Sequence, residues 1–407
     1  MADLCLTVAS SVLGRSYAES IENRLHEGLK NSLTTLKYEG IIDADSVENL
    51  DTCSTRIIII ATGGTENAIA KIAEKTRKVI LVSHNQYNSL PAAIETASYL
   101  RKLGLRYVLK TANSLDEVVN YVETYVKAGR VLKLLRGARF GLIGGVSDWL
   151  VYSRVDPNLL KERLGSEIVE IPAGELIQEY EKTLEAGEVE NLLSKALRVN
   201  VPVSEVRKAG RLYVALNRII SNHGLKALSI KCFDIIKPTG TTACLAVSLL
   251  NSQGFPASCE GDVPLLISMA IGTWVTGKPV FMGNPSSIEG QSLIIAHCSS
   301  PLIGPFELFT HFESNEGVGI RVEFPVGAPA TIFRIDSDLK ELRIGVGRIA
   351  SHEWSRSLCR TQIKVEVKDP TMLVKEPIGN HYALLIGDHS RELEAVGSML
   401  DLKISSF

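Results

Sequence analysis

The sequence lacks the features that mark several classes of protein. In its 407 residues, 44 Lys and Arg stand against 46 Asp and Glu, for a formal net charge of −2. Such a balance does not favour a nucleic-acid or membrane-surface partner. The apolar runs are broken well short of a bilayer span, and the first residues do not resemble a signal peptide. We therefore expect a cytoplasmic protein that binds neither nucleic acid nor membrane.

Cysteine is scarce and scattered. The seven cysteines are odd in number and stand singly, with no CxxC or CxxH pair among them. This spacing argues against a disulfide framework and against a structural zinc site. We therefore expect reduced thiols.

A complete dinucleotide-binding fingerprint is also missing. The segment FGLIGG (140–145) reads as a strand that ends in glycines, but it lacks the GxGxxG spacing. A nucleotide-dependent oxidoreductase stays an alternative only because other strand-like segments end in glycine too.

The order of the segments predicts an α/β fold with three domains. Residues 1–136 alternate β-branched runs with amphipathic helical patterns, which predicts a doubly wound, flavodoxin-like parallel sheet. Residues 137–278 repeat this alternation as a second doubly wound parallel-sheet domain. Residues 279–407 consist of short β-branched runs separated by glycine and proline, which predicts an antiparallel β-barrel-like C-terminal domain.

The segment CEGD (259–262) is the first candidate for chemistry, because it places two carboxylates at the mouth of an apolar helix. Asp262 suits a helix cap. Glu260 suits a cap less well and is a candidate metal ligand or general base. His297 follows a strand-like run and His381 precedes one, although a structural role for either stays open. With His311 and His352, these histidines lie in the last third of the chain beside several acids, which makes an oxygen/nitrogen metal site possible, of the kind that suits manganese, magnesium or cobalt.

Several segments resemble the L-fucose isomerase family, which groups L-fucose and L-arabinose isomerase-like proteins. These segments are GTTACLAVSLLN, CEGDVPLLISM, PVFMGNP, AHCSSP, THFESNEGVGI, CRTQ and GNHYALLIGD, with RGARFGLIGGVSDWL before them. The resemblance covers most of the chain and is stronger after residue 135. It implies an aldose–ketose isomerase that works through an enediol, with three domains per subunit and a homo-oligomeric assembly, a trimer or hexamer.

The resemblance also implies the site residues. The family holds a divalent metal, usually manganese, through a glutamate, an aspartate and a histidine, which fall at Glu260, Asn284 and His381. The family's Gly-Asp-Pro reads Gly-Asn-Pro here, and an amide can coordinate a cation but cannot act as a base. We therefore expect Glu260, with Asp262 or His297, to move the proton. A sugar-binding protein that has lost catalysis is the alternative.

Four residues are candidates for binding a small sugar. Thr241 and Thr242 form a hydroxyl-rich turn that suits sugar hydroxyls or helix capping. His84 follows a strand of the first domain, where it suits plain turn chemistry or, as the oligomeric pattern of the resembled family allows, completes a neighbouring subunit's pocket. Arg360 would reach a substrate oxygen or form a salt bridge inside the β domain. No phosphate-cradling loop is evident, which favours an unphosphorylated sugar, although Lys237, Arg334 or Arg360 would also suit a phosphate or sulfonate.

Overall fold

The computed structural model describes residues 2–29, 36–43, 45–187 and 189–407. The chain divides into two compact units, which we call unit 1 (Met1–Lys133) and unit 2 (Leu134–Phe407). Within the described residues, no helix is long and apolar enough to cross a membrane.

Unit 1 is built on a parallel sheet in the order β2-β1-β3-β4-β5. The strands are β1 (Ala2–Ala9), β2 (Lys37–Ile42), β3 (Cys53–Ile60), β4 (Thr76–His84) and β5 (Arg106–Ala112). The helices are α1 (Arg15–Gly28), α2 (Glu66–Glu74), α3 (Ser89–Lys102) and α4 (Leu115–Leu135). The isoleucine run at the end of β3 is fully buried, as expected for a parallel strand that is covered on both faces. The predicted doubly wound sheet is confirmed.

One disulfide departs from the sequence prediction. Cys5 of β1 and Cys53 of β3 are bonded, with their Cα atoms 6.3 Å apart. The prediction of reduced thiols is wrong at this pair, because two cysteines 48 residues apart meet only through the pairing of β1 with β3. The other five cysteines are free.

Unit 2 begins with a second parallel sheet, in the order β10-β9-β6-β7. Its strands are β6 (Arg139–Ile143), β7 (Glu167–Ile171), β9 (Ala227–Ile230) and β10 (Ala257–Cys259). The helices of this region are α5 (Pro157–Leu164), α6 (Ala173–Lys182), α7 (Val189–Lys195), α8 (Val203–His223), α9 (Cys232–Thr239), α10 (Cys244–Ser252) and α11 (Val263–Thr276). Helix α5 shows the local signals plainly, since Asp156 caps its first turn and Gly165 ends it in the left-handed region.

The C-terminal part of unit 2 is a closed antiparallel barrel, as predicted. Its strands are β11 (Phe281–Glu289), β12 (Ser292–His297), β15 (Pro329–Ile335), β16 (Glu341–His352), β17 (Thr361–Val367) and β18 (Tyr382–Ile386). They pair in the order β15-β18-β11-β12-β17-β16, and β16 closes the ring on β15. The short helices α12 (Met372–Lys375) and α13 (Ser390–Met399) and the added strand β19 (Lys403–Ser406) complete the barrel region.

Three strands of unit 2 lie outside the barrel. These are β8 (Arg198–Val199), β13 (Phe306–Phe309) and β14 (Gly319–Val322), which form a small sheet in the order β14-β13-β8. Helix α11 contacts β9 and β10 of the parallel sheet and also β15 and β18 of the barrel. This position explains why α11 is apolar around nearly its whole circumference. The domain boundaries predicted at residues 136 and 278 stay predictions.

The register of β11 brings two distant segments together. Its first three residues pair with the start of β18, where Gly283 lies opposite Tyr382. The remainder pairs with β12, where Asn284 lies opposite Ala296. The end of β12 and the start of β18 therefore meet at the middle of β11.

Candidate active site

Three side chains that are distant in sequence meet in unit 2. Glu260 follows β10, His297 ends β12, and His381 precedes β18. One ligand atom from each lies within 4.8 Å of the other two. A carboxylate and two imidazoles form a donor set that suits a divalent transition metal. The structure thus groups His297, which we predicted as a catalytic residue, with the predicted ligands Glu260 and His381.

The Glu260 turn is held by the loop that follows β6. Glu260 has φ = +66° and Gly261 has φ = +72°. A non-glycine residue is uncommon in this region, and such strain persists only where the surroundings hold it. The backbone N–H of Ser147 donates to the Glu260 carbonyl at 2.9 Å, and Trp149 Nε1 donates to Glu260 Oε2 at 2.6 Å. A Cβ on Gly261 would lie 2.3 Å from the Gly145 carbonyl oxygen, so only glycine fits there.

His381 is oriented from behind by Asp262. Its Nδ1 hydrogen-bonds Asp262 Oδ2 at 2.9 Å. Its Nε2 lies 3.5 Å from Glu260 Oε1 and, within the described part of the chain, makes no hydrogen bond although it is buried. Burial opposes the charged imidazole, but Asp262 and Glu260 outweigh it and raise the pKa of His381 to about 9. A histidine that binds a metal usually hydrogen-bonds a carboxylate through one ring nitrogen, while the other nitrogen has no protein partner.

Asp262 is itself fixed by a buried arginine. Arg334, on β15, donates Nη1 to Oδ2 at 3.0 Å and Nη2 to Oδ1 at 3.1 Å, and both side chains are fully buried. Its other donors reach the carbonyls of Ile378 and His381 and the hydroxyl of Ser153. Since all five guanidinium N–H groups are engaged, Arg334 has no donor left for a substrate anion.

Asp262 was expected to cap a helix or to move a proton. It caps α11, because Oδ1 accepts the backbone N–H of Leu265 at 3.0 Å. Burial raises the pKa of the Asp262 carboxyl, but Arg334 and His381 outweigh this and hold it well below its usual range. With both oxygens engaged and no exposure, Asp262 lies behind His381. Its predicted catalytic role stays a prediction.

His297 is buried and neutral. Its Nδ1 shares a hydrogen bond with the Ser299 hydroxyl at 2.7 Å, and its ring centroid lies 5.9 Å from that of His381. Burial disfavours the charged ring, and the nearby His381 adds to this, so the pKa of His297 falls to about 3. A neutral imidazole is the form that binds metals.

Asn284, which the sequence resemblance places at the position of a metal-binding aspartate, lies on β11 between β12 and β18, the strands next to the two histidines. Its pairing opposite Ala296, the neighbour of His297, brings its backbone next to the site. Its role as a metal ligand stays a prediction.

The predicted sugar-binding residues differ in their surroundings. The Thr242 hydroxyl donates to the Val318 carbonyl and accepts from the Val318 N–H, both at 3.2 Å, while Thr241 is fully buried. His84 belongs to unit 1, where it is buried, accepts the N–H of Gln86, and has its pKa lowered by burial. The proposed roles of these three residues stay predictions.

Arg360 lies beside an aromatic row that leads from the site. Its Nε donates to the Thr310 carbonyl at 2.8 Å. Burial and then the charge of Arg360 lower the pKa of His311 to about 4, while Glu260 acts in the opposite sense. The His311 ring meets Phe233 edge-on at 5.6 Å, and Phe233 meets Trp149 edge-on at 5.3 Å. Phe233 and Thr310 also line an open cavity of about 820 Å³.

Sequence reasoning singles out only one side chain of this row for binding. Trp149 is, with Trp354, a candidate for an apolar face that stacks on a sugar, although core packing is the simpler interpretation. Phe233 reads as one apolar position of a helix, and His311 as one of several late histidines. Their arrangement follows from the loop after β6, from α9 and from the turn after β13, which approach one another only in the fold.

Comparisons with known proteins give one consistent result. No protein-family model matches the chain. A sulfoquinovose isomerase from Clostridium sp. (strain MSTE9) is 26% identical over 341 residues, which cover 78% of this chain and 75% of that protein. A sulfoquinovose isomerase from Priestia aryabhattai is 23% identical over 424 aligned positions, which cover 95% and 94%. One from Alkalicoccus urumqiensis is 22% identical over 340 residues, which cover 78% and 76%.

These relatives bear on the alternatives. All carry the name of an isomerase, so they favour neither a sugar-binding protein without catalysis nor a nucleotide-dependent oxidoreductase. The sequence predicts an aldose–ketose isomerase, and the relatives confirm this enzyme class.

Proposed function

We propose that the chain interconverts a sulfonated aldose of the sulfoquinovose kind and its ketose, with a divalent metal held by Glu260, His297 and His381. The observation that carries the metal site is the buried Nε2 of His381, which has no hydrogen-bond partner among the described residues and faces Glu260 at 3.5 Å. The substrate class rests on the names of the relatives.

The donor set supports manganese as the metal, with the Asn284 amide as a further ligand. One carboxylate and two imidazoles suit several divalent first-row ions, and an amide oxygen suits the harder ones among them. A metal held by these residues would supply polarisation of the carbonyl and hydroxyl oxygens of the sugar.

Glu260 is the residue we propose to move the proton between the two carbons, through an enediol. Burial favours its neutral form, but the hydrogen bond and charge of His381 outweigh burial and lower the pKa of Glu260 to about 2. The carboxylate is therefore ionised, which is the form that a metal ligand and a general base both require. Asp262, whose oxygens are engaged by Arg334 and His381, holds the imidazole in orientation.

Arg360 is the proposed partner of the sulfonate. Its guanidinium is half-buried, donates Nε to the Thr310 carbonyl and Nη2 to the Thr310 hydroxyl at 3.4 Å, and its charge lowers the pKa of His311. A guanidinium offers a sulfonate several planar N–H donors, which the single ammonium of a lysine lacks.

The remaining parts of the proposal rest on the sequence. The resemblance to the L-fucose isomerase family supports a homo-oligomer, a trimer or hexamer, with His84 completing a neighbouring subunit's pocket. The same reasoning supports a cytoplasmic enzyme whose partner is a small sugar.

The experiment is a turnover assay on protein stripped of metal, with and without added MnCl₂. Sulfoquinovose, D-glucose, L-fucose and L-arabinose serve as substrates. We expect manganese-dependent formation of the ketose from sulfoquinovose, with much lower rates on the other sugars. Equal turnover with and without metal would contradict the metal role. Preference for an unsulfonated sugar would contradict the substrate class.

Two variants sharpen this assay. Arg360→Gln should lower kcat/KM for sulfoquinovose by about 10- to 100-fold and leave the rate on D-glucose within about threefold, since only the sulfonate loses a charged partner. Arg348→Gln, an exposed arginine on β16, is the matched control. Asn284→Asp tests the departure from the family pattern, because activity that appears only in this variant would favour a diverted sugar-binding protein.

A further inference from the structure

We propose that Trp149 is a positioning residue of the site, with two separable parts. Its indole N–H fixes the orientation of the Glu260 carboxylate, and its exposed ring forms the apolar side of the sugar site. The inference rests on the proposed function for the identity of the ligands, but the contacts that carry it are independent of the relatives.

The indole N–H gives the two carboxylate oxygens of Glu260 different partners. Trp149 Nε1 donates to Oε2 at 2.6 Å, while Oε1 lies toward His381 Nε2 at 3.5 Å. A short hydrogen bond from a neutral donor to a carboxylate is among the stronger kinds in proteins. It keeps Oε1 turned toward His381, which a freely rotating carboxylate would not do.

The backbone around Trp149 is anchored. The N–H of Leu150 donates to the Ser147 carbonyl, and Ser147 in turn donates to the Glu260 carbonyl. Leu150 is buried, so the loop is tied down on both sides of its contact with the turn. The backbone therefore holds the indole in a fixed position next to Glu260.

The ring itself is exposed where burial would be expected. The Trp149 side chain is 51% exposed, although it contacts a largely buried carboxylate. Phe233 meets it edge-on at 5.3 Å and an interplanar angle of 87°, which braces one edge and leaves a face open. An aromatic face beside a few placed polar groups is the usual composition of a small-ligand site, and the C–H face of a hexose packs on such a ring.

Tryptophan emission tests the placement without relying on turnover. The chain has three tryptophans, of which Trp274 lies beside Phe140 and Trp354 beside Phe309, while Trp149 donates to Glu260. Metal-stripped protein is titrated with MnCl₂ and then with sulfoquinovose. We expect emission to change in both steps, the change to be lost in Trp149→Phe, and the change to persist in Trp354→Phe. A change that persists in Trp149→Phe overturns the proposal.

The two parts are separated by two substitutions. Trp149→Phe keeps a ring without the N–H, so manganese affinity and kcat should fall about tenfold or more while KM changes less than about threefold. Trp149→Gln keeps an N–H donor without the ring, so KM should rise about tenfold with kcat less affected. Equal effects of both variants on kcat and KM, in protein whose unfolding midpoint is unchanged, overturn the division of roles. If the wild-type protein turns over no sugar, the proposed function fails, while the manganese step of the emission titration still decides the place of Trp149.

Discussion

Each unit of the chain buries an arginine against a carboxylate, and the two pairs serve different ends. In unit 1, Arg56 donates to both oxygens of Glu39 at 3.0 Å, and the Thr7 hydroxyl donates to the same carboxylate. In unit 2, Arg334 donates to both oxygens of Asp262 at nearly the same distances. Both arginines are fully buried.

The difference lies in the next contact of each carboxylate. The further hydrogen bond that the structure gives the Glu39 carboxylate comes from the Thr7 hydroxyl, which is not part of the candidate site. The Asp262 carboxylate hydrogen-bonds Nδ1 of His381. The other ring nitrogen, Nε2, faces Glu260 and has no hydrogen-bond partner among the described residues. Buried ion pairs gain little net stability because desolvation is costly. The Arg334–Asp262 pair is therefore better explained by its orientation of the His381 ring than by a contribution to folding stability.

The largest expected effect comes from the carboxylate at the end of the unit 2 network. Glu260→Gln should lower kcat/KM for sulfoquinovose by about 10³-fold, because an amide brings no charge to a metal and accepts no proton. The assay is manganese-dependent ketose formation. Glu39→Gln, the counterpart in unit 1, should leave the rate of the folded protein within about threefold. Equal losses in both variants would remove the distinction between the two networks.

Breaking the arginine pairs should separate stability from metal binding. Arg334→Met and Arg56→Met each leave a buried carboxylate unpaired, which costs about 3–5 kcal/mol of folding free energy. Only Arg334→Met should also weaken manganese binding, by about 10- to 100-fold, since Asp262 then holds His381 less firmly. Denaturant unfolding and manganese titration measure the two effects. Weakened binding in Arg56→Met would contradict the account.

Two glycines test the role of Arg334 with a smaller change than its removal. A Cβ on Gly379 would lie 2.3 Å from Arg334 Nε, with φ = +128°, whereas Gly104 in unit 1 has φ = +70° and no atom within 4 Å. We expect Gly104→Ala to cost about 1 kcal/mol for its backbone conformation. Gly379→Ala should cost about 3 kcal/mol and lower manganese affinity, because it displaces the arginine. Similar costs in thermal unfolding would show that the contact with Arg334 adds nothing.

The smallest effect concerns a predicted sugar-binding residue. Thr242→Val removes two hydrogen bonds to the Val318 backbone and should cost about 1–2 kcal/mol of stability. Because this hydroxyl is already engaged, KM for sulfoquinovose should stay within about twofold. A large rise in KM with little loss of stability would restore the sugar-binding prediction.

The fold class could be predicted from the sequence because it depends on local hydrophobic patterns. Alternating runs such as RIIIIATGG followed by TENAIAKIAEKT predict a parallel sheet, and short β-branched runs after residue 290 predict the barrel. Glu260 and His381 could be found through the CEGD and GNHY segments. The grouping of His297 with them depends on the register of β11 against β12 and β18, which no local pattern encodes.

The remaining features depend on side chains that meet across the fold. The Cys5–Cys53 bond follows from the pairing of β1 with β3. The contact of Trp149 with Glu260 joins residues 111 positions apart, and that of Arg334 with Asp262 joins residues 72 apart. Residue type alone made Arg334 a candidate for binding an anion. The structure shows that all five of its N–H donors are hydrogen-bonded to protein groups.

The most direct test of the central claim is anomalous diffraction from a crystal of the protein soaked in MnCl₂, with data collected at the manganese absorption edge. We predict one strong anomalous peak per chain, within coordination distance of the Glu260 carboxylate and of a ring nitrogen of both His297 and His381. The same soak of Glu260→Gln should weaken or abolish it. A peak bound by other residues, or none at a concentration that supports turnover, would contradict the account.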